Sequence, residues 1–199
     1  MRALHRAGDV GEGGGVDVAH HIVVMLRIIQ HVDVDQEPQT AILRTDLLAG
    51  QGWFDLHQYR MGTGGGLLMH WSRLVDAPIA AIVLAVAAVT GSQAVGETAA
   101  LIVWPFALYA LALYLLLRIG RLVAGEEAMF PLTVIGAATL YYIGIFAPGA
   151  IDHHNLQLVL MLAMVLFLLQ AGRDKLSAWL AGISAVLMLA VGMETAPYV

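Results

Sequence analysis

Within residues 149–158, GAIDHHNLQL, a carboxylate and two imidazoles stand side by side at Asp152, His153 and His154. Almost everything around them is Ala, Leu, Ile, Val or Met. Carboxylate and imidazole both bind divalent metals. In the first turn of a helix, neighbouring side chains point about 100° apart. His153 and His154 therefore cannot easily serve one ion as adjacent ligands. In an extended or turn segment, alternate residues fall on one side. The chelate this spacing allows is Asp152 with His154, leaving His153 to face elsewhere, for example a phosphate. The plainer reading is a polar cap: a single Asp before a helix accepts backbone N–H bonds and favours the positive end of the helix dipole. One Asp suffices for that task, and the two histidines are surplus to it.

Two ligands make an incomplete metal site, so further groups must come from another loop. Residues 45–78, TDLLAGQGWFDLHQYRMGTGGGLLMHWSRLVDAP, carry Asp46, Asp55, His57, Arg60, His70, Trp71, Arg73 and Asp76. Aromatic and polar groups interleave there, as at a membrane interface or a sugar site. The planar forks of Arg60 and Arg73 suit a phosphate; an amphipathic loop lying on a membrane is the competing reading. Residues 31–36, HVDVDQ, place Asp33 and Asp35 on one side of an extended chain, a pairing that can hold a metal and a phosphate. Polar surface segments produce such pairs by chance as well. The runs GEGGG at 11–15 and GTGGG at 62–66 read as turns, because no Lys-Ser/Thr follows them as a phosphate loop requires.

The elements that must hold these groups follow from composition. Of 199 residues, 59% are hydrophobic and only 13% are charged, and mean hydropathy is +0.77. A soluble domain is about half apolar and about a quarter charged, so the first reading is a membrane protein. Cysteine is absent, which excludes disulfides and thiolate metal sites. The net charge of −5 and the lack of a basic stripe argue against nucleic acid as a partner. The N-terminus lacks a basic stretch leading into an apolar core and does not read as a signal peptide.

Apolar runs at 99–117, 129–147, 156–171 and 176–194 predict four helical spans, since open strands would leave backbone amides unpaired in lipid. The run at 77–91 is short and follows Pro78. It either crosses or lies as an interfacial or re-entrant helix. Arg118 and Arg121 after the first span, and Arg173 and Lys175 after the third, face the cytoplasm by the charge rule. The Asp152 turn then lies on the opposite side. If 77–91 does not cross, residues 45–76 share that side; if it crosses, they cannot meet Asp152. The expectation is an all-α polytopic bundle in three parts. These are a poorly defined segment 1–44, an extracytoplasmic loop 45–98 with an interfacial or re-entrant helix, and a four-span bundle 99–199.

The stretches RTDLLAGQGWFDLHQYRM, MHWSRLVDAP and APGAIDHHNLQLVL resemble bacterial membrane proteins of the glycosyltransferase C superfamily, in particular oligosaccharyltransferase catalytic subunits. The likeness covers roughly residues 44–199, with MHWSRLVD and DHHN the most specific pieces. It implies a long outer loop after a first span, then many helices, with 77–91 as an outer-loop helix dipping into the membrane. It implies transfer of a sugar from a polyprenyl-phosphate carrier to an acceptor on the non-cytoplasmic face, in a bacterial inner membrane with Asp152 on the periplasmic or extracellular side. Acids of the first and second outer loops would hold Mg²⁺ or Mn²⁺ near the carrier phosphate. Asp152 and His154 match an Asp-x-His variant of the second-loop motif, and His70 is a first-loop candidate. The departures are the lack of a convincing apolar span in residues 1–30, an untypical neighbourhood around Asp33 and Asp35, and a chain that stops where the family continues, which implies a fragment.

On this reading Asp35 and Asp152 are the catalytic candidates. Asp152, His154, His70 and Asp33 hold the metal, and Arg60, Trp71, Arg73 and His153 bind substrate. The cation neutralises the leaving phosphate, and a first-loop Asp orients or deprotonates the acceptor. Two other classes stand beside it: a transporter or ion-binding membrane protein, in which intramembrane Asp and His relay protons or ions, and a scaffold without chemistry. Neither a mid-span charge nor a broken helix pair supports the transporter.

Overall fold

The structure is a computed structural model describing residues 50–58, 66–68, 72–151 and 153–198, all within one compact unit that spans 34–199. Asp33, Asp35, Arg60, His70, Trp71 and Asp152 lie outside the described residues. Among those described, five α-helices follow a two-residue antiparallel pairing of β1 (His57–Gln58) with β2 (Leu67–Leu68). They are α1 (Asp76–Thr90), α2 (Gln93–Ala124), α3 (Met129–Tyr142), α4 (His154–Gln170) and α5 (Lys175–Val191). Short 3-10 turns occupy Glu126–Ala128 and Met193–Tyr198. The all-α expectation therefore holds.

Each helix matches an apolar run read from the sequence, with shifted ends. The second expected span is cut to Met129–Tyr142, because the backbone turns at Gly144 on the way into the Pro148 segment. The first is lengthened: α2 begins at Gln93, where the Ser92 hydroxyl accepts the Val95 N–H and caps the helix. At 32 residues α2 is about 48 Å long. Among the described residues it is the one helix long and apolar enough to cross a bilayer; α1, α4 and α5 are apolar but have 15, 17 and 17 residues.

The long helix α2 is the spine, and α1, α3 and α4 all pack against it, while α5 packs on α4. Apolar side chains spaced by three and four along α2, among them Ala100, Trp104, Leu108, Ala112 and Leu115, are buried. The two residues Gly91 and Ser92 connect α1 to α2 and fold them into an antiparallel hairpin. This hairpin is unusually tight where Gly96 meets Val83. A Cβ added at Gly96 would stand 2.5 Å from the Val83 carbonyl oxygen.

At the opposite end, Asp174 caps α5. Its carboxylate accepts the Ser177 N–H at 2.7 Å and the Ser177 hydroxyl at 2.9 Å, and these bonds hold its carboxyl below the usual carboxylate range. Arg121 and Glu126 pair at the same end, across the connection that leaves α2.

Candidate functional site

Two of the polar segments singled out in the sequence meet at one end of the helices. Helix α5 ends at Val191, and the Val191 carbonyl accepts the Ser72 N–H at 3.2 Å. The next carbonyl, Gly192, accepts the Gln157 amide at 3.3 Å. Gln157 lies one turn into α4, and its N–H bonds back to the His153 carbonyl at 3.0 Å. The turn that begins Ser72–Arg73 and the turn that carries His153 and His154 are thus tied to consecutive residues of one helix end. They stand on the same side of the helical layer.

A third tie fixes the histidine turn to α2, and it arises from a proline. Pro105 sits inside α2 and has no N–H, so the carbonyl one turn before it, that of Leu101, has no helical donor. The Gly149 N–H fills that vacancy at 2.8 Å. Gly149 has φ +89°, a backbone that L side chains rarely adopt. Replacing Pro105 by alanine supplies a competing helical N–H. Amide exchange at Gly149 is then expected to accelerate by about fivefold, the loss of a hydrogen bond worth roughly 1 kcal/mol. Unchanged Gly149 protection, read by exchange mass spectrometry or NMR, would show that the proline does not govern this docking.

The histidines divide by burial. His153 is buried at 1% exposure and His154 is exposed, with their rings 4.2 Å apart and tilted by 36°. Helix α4 begins at His154, so the cap position falls on His153, which makes no side-chain cap bond. Asp152, to which the sequence assigned the capping task, lies outside the described residues.

Arg73 is placed otherwise than expected. Its side chain is 1% exposed. One terminal nitrogen donates to Asp76 Oδ2 at 3.1 Å, the other to Gln51 Oε1 and to the Asp55 carbonyl, both at 2.5 Å. Its planar fork is thus consumed inside the protein, where it ties the 51–55 turn to the start of α1, rather than being offered to a phosphate. That turn is itself ordered: Asp55 N–H bonds Gly52 O, Gln51 Nε2 bonds His57 O at 2.7 Å, and His57 N–H bonds the Asp55 carboxylate at 3.1 Å. The His57 N–H, then the Gln51 side chain, hold the Asp55 carboxyl below its ordinary range.

Of the polar groups that brace this end, Asp76 was named in the sequence without a role, and Asn155 and Gln157 were assigned none. Asp76, Asn155 and Gln157 are all buried at this end. Asn155 Nδ2 donates to the Ala150 carbonyl at 2.9 Å and so braces the histidine turn from inside. Asp76 was readable as the i+3 partner of Arg73, and Gln157 as the residue one turn beyond His153; the sequence offered no sign that either would be buried. Arg73 Nε, Trp104 Nε1 and Asn155 Oδ1 are buried and have no hydrogen-bond partner among the described residues.

Among the described residues no group of three His, Asp or Glu side chains converges as a metal site. Asp152, His70 and Asp33, the expected partners of His154, fall outside those residues. No family model matches the chain, and neither a curated protein nor a solved structure matches it significantly.

Proposed function

We propose that this chain is part of a polytopic membrane glycosyltransferase. It moves a sugar from a polyprenyl-phosphate carrier to an acceptor on the non-cytoplasmic face of a bacterial inner membrane. The carrying observation is the common anchorage of the Ser72–Arg73 turn and the His153–His154 turn on Val191 and Gly192. That anchorage gives two loops, distant in sequence, a shared floor at one end of an apolar helical layer, which a loop–loop metal site requires.

Two further features support the reading. Large apolar side chains are exposed all round the helices, among them Phe106, Val134, Ile135, Leu168, Trp179 and Val186. Soluble monomers rarely expose contiguous apolar surface on this scale. Tyr141 and Tyr142, at the end of α3 leading to the histidine turn, and Trp179, near the start of α5, are exposed aromatics near helix ends, the positions of interfacial belts.

In this reading His154 and Asp152, with His70 or Asp33 of the first loop, would hold a divalent cation, which would supply positive charge to neutralise the leaving phosphate. Asp35 orients or deprotonates the acceptor. Arg60 and Trp71 contact the carrier or the sugar, while Arg73 holds the first-loop turn in place. The direct test is binding of polyprenyl phosphate to the detergent-solubilised chain, with and without Mn²⁺, read as a thermal shift. The unmodified protein is expected to show a metal-dependent shift, and Asp152→Ala to lose it while inserting normally into membranes. An equal shift in both proteins refutes the metal role of Asp152. A chain that stays in the aqueous fraction refutes the membrane reading altogether.

A further inference from the structure

We propose that the Trp53–Phe54 turn is a lipid-inserting wedge, pinned at the depth of the bilayer's outer boundary by Arg73. Phe54 is 94% exposed and Trp53 45%, an aromatic pair at the tip of the 52–55 turn. A bare Phe beside a half-exposed Trp is costly in water and suits the interface, where an aromatic ring has an apolar body to bury.

The depth follows from the hairpin. Val83 of α1 faces Gly96 of α2, and the two helices run in opposite directions. Asp76 lies seven residues before Val83, about 10 Å along the axis at the usual helical rise. That sets Asp76 about level with Val103 and Trp104. The apolar run of α2 begins at residue 99, so Asp76 lies beyond its start, alongside apolar surface. The first half of α1 is accordingly buried at Asp76, Ile79, Ala80 and Val83, while Leu84 and Val89 farther along are exposed. One independent tie lies near this level: Gly149 meets α2 at Leu101.

Arg73 then carries the level across to the turn. The same guanidinium that pairs with Asp76 grips the Asp55 carbonyl and the Gln51 amide oxygen. The turn cannot lift away without breaking bonds to a buried arginine. Its aromatic tip is therefore held beside the outer end of the apolar belt, and the partner of matching chemistry is the lipid surface.

The inference rests on the membrane reading, and the experiment separates the two. The chain has no cysteine, so Phe54→Cys and Trp179→Cys each create one labelling site, at positions exposed by 94% and 74%. Each variant is labelled with bimane, reconstituted into phosphatidylcholine vesicles, and compared with vesicles of phosphatidylcholine brominated at shallow or deep chain positions. Both labels are expected to lose at least about half their emission in brominated lipid, with the label at position 54 quenched more by the shallow bromines. Adding Arg73→Met to Phe54→Cys is expected to weaken that quenching, because the turn is released. Quenching at position 179 without quenching at position 54 overturns the wedge and leaves the membrane reading standing. No quenching at either position overturns both.

Discussion

Arg73→Met is expected to destabilise the protein by about 3–5 kcal/mol, the cost of leaving one charge of a buried pair without its partner. Asp76 is 7% exposed, and Arg73 is its ion-pair partner at 3.1 Å. The same substitution removes the donor that holds Gln51 Oε1 and the Asp55 carbonyl, so the 51–55 turn loses its attachment to α1. The measurement is denaturant unfolding in detergent micelles followed by circular dichroism. Arg73→Lys is expected to recover only part of the loss, since a single ammonium cannot match three acceptors that a planar fork engages together. The double variant Arg73→Met/Asp76→Leu is expected to lie closer to the parent than Arg73→Met alone, because it leaves no buried charge. Parental stability in Arg73→Met would show that the pair makes no net contribution and that the turn is held by something else.

Two glycine substitutions should have opposite signs. Glycine inside a helix costs about 1 kcal/mol relative to alanine, and Gly96 and Gly182 both sit inside helices. Around Gly182 a Cβ would meet nothing within 4 Å, so Gly182→Ala is expected to stabilise by up to about 1 kcal/mol. At Gly96 the added methyl would lie 2.5 Å from the Val83 carbonyl oxygen and 3.2 Å from its carbon, both backbone atoms. The helices must part to admit it. Gly96→Ala is expected to be net destabilising, since overpacking costs roughly 1–3 kcal/mol against the propensity gained, and Gly96→Leu more so. Thermal unfolding of the three variants in one detergent checks both signs. A stabilised Gly96→Ala would mean that the α1–α2 hairpin is looser than its geometry.

Much of the fold was legible because it depends on local terms. Each apolar run long enough to satisfy its backbone by internal hydrogen bonds became a helix: 77–91 became α1, 99–117 lies inside α2, and 156–171 and 176–194 became α4 and α5 within a few residues. The run 129–147 was overextended because Phe146 is as apolar as the helix before it. Phe146 is buried in the following turn, where its ring meets Tyr109 edge-on, with centroids 5.9 Å apart. Hydrophobicity records that a side chain is hidden and not which backbone conformation hides it.

The site was legible in its residue types and much less in their tasks. Asp-His-His-Asn stood out against hydrocarbon, but the 4.2 Å approach of the His153 and His154 rings and the burial of the first were not readable from side-chain directions. Arg73 was misassigned because a guanidinium satisfies a phosphate and a carboxylate with the same donors. Whether those donors face outward or inward depends on what the chain brings within 3 Å of them. Here that is Gln51 and Asp55, 22 and 18 residues earlier.

The sequence by itself determined that this protein is helical, that its helices are apolar enough to need lipid or each other, and that its polar groups fall in the segments between and before them. These are properties of runs and periods, summed over neighbours in the chain. Only the tertiary structure decided that the two segments share one end, through Val191 and Gly192, and that a proline in α2 leaves a carbonyl for Gly149 to bind. Each of those contacts ends on a backbone carbonyl tens of residues from its donor, and a backbone carbonyl carries no side-chain signature to announce its partner.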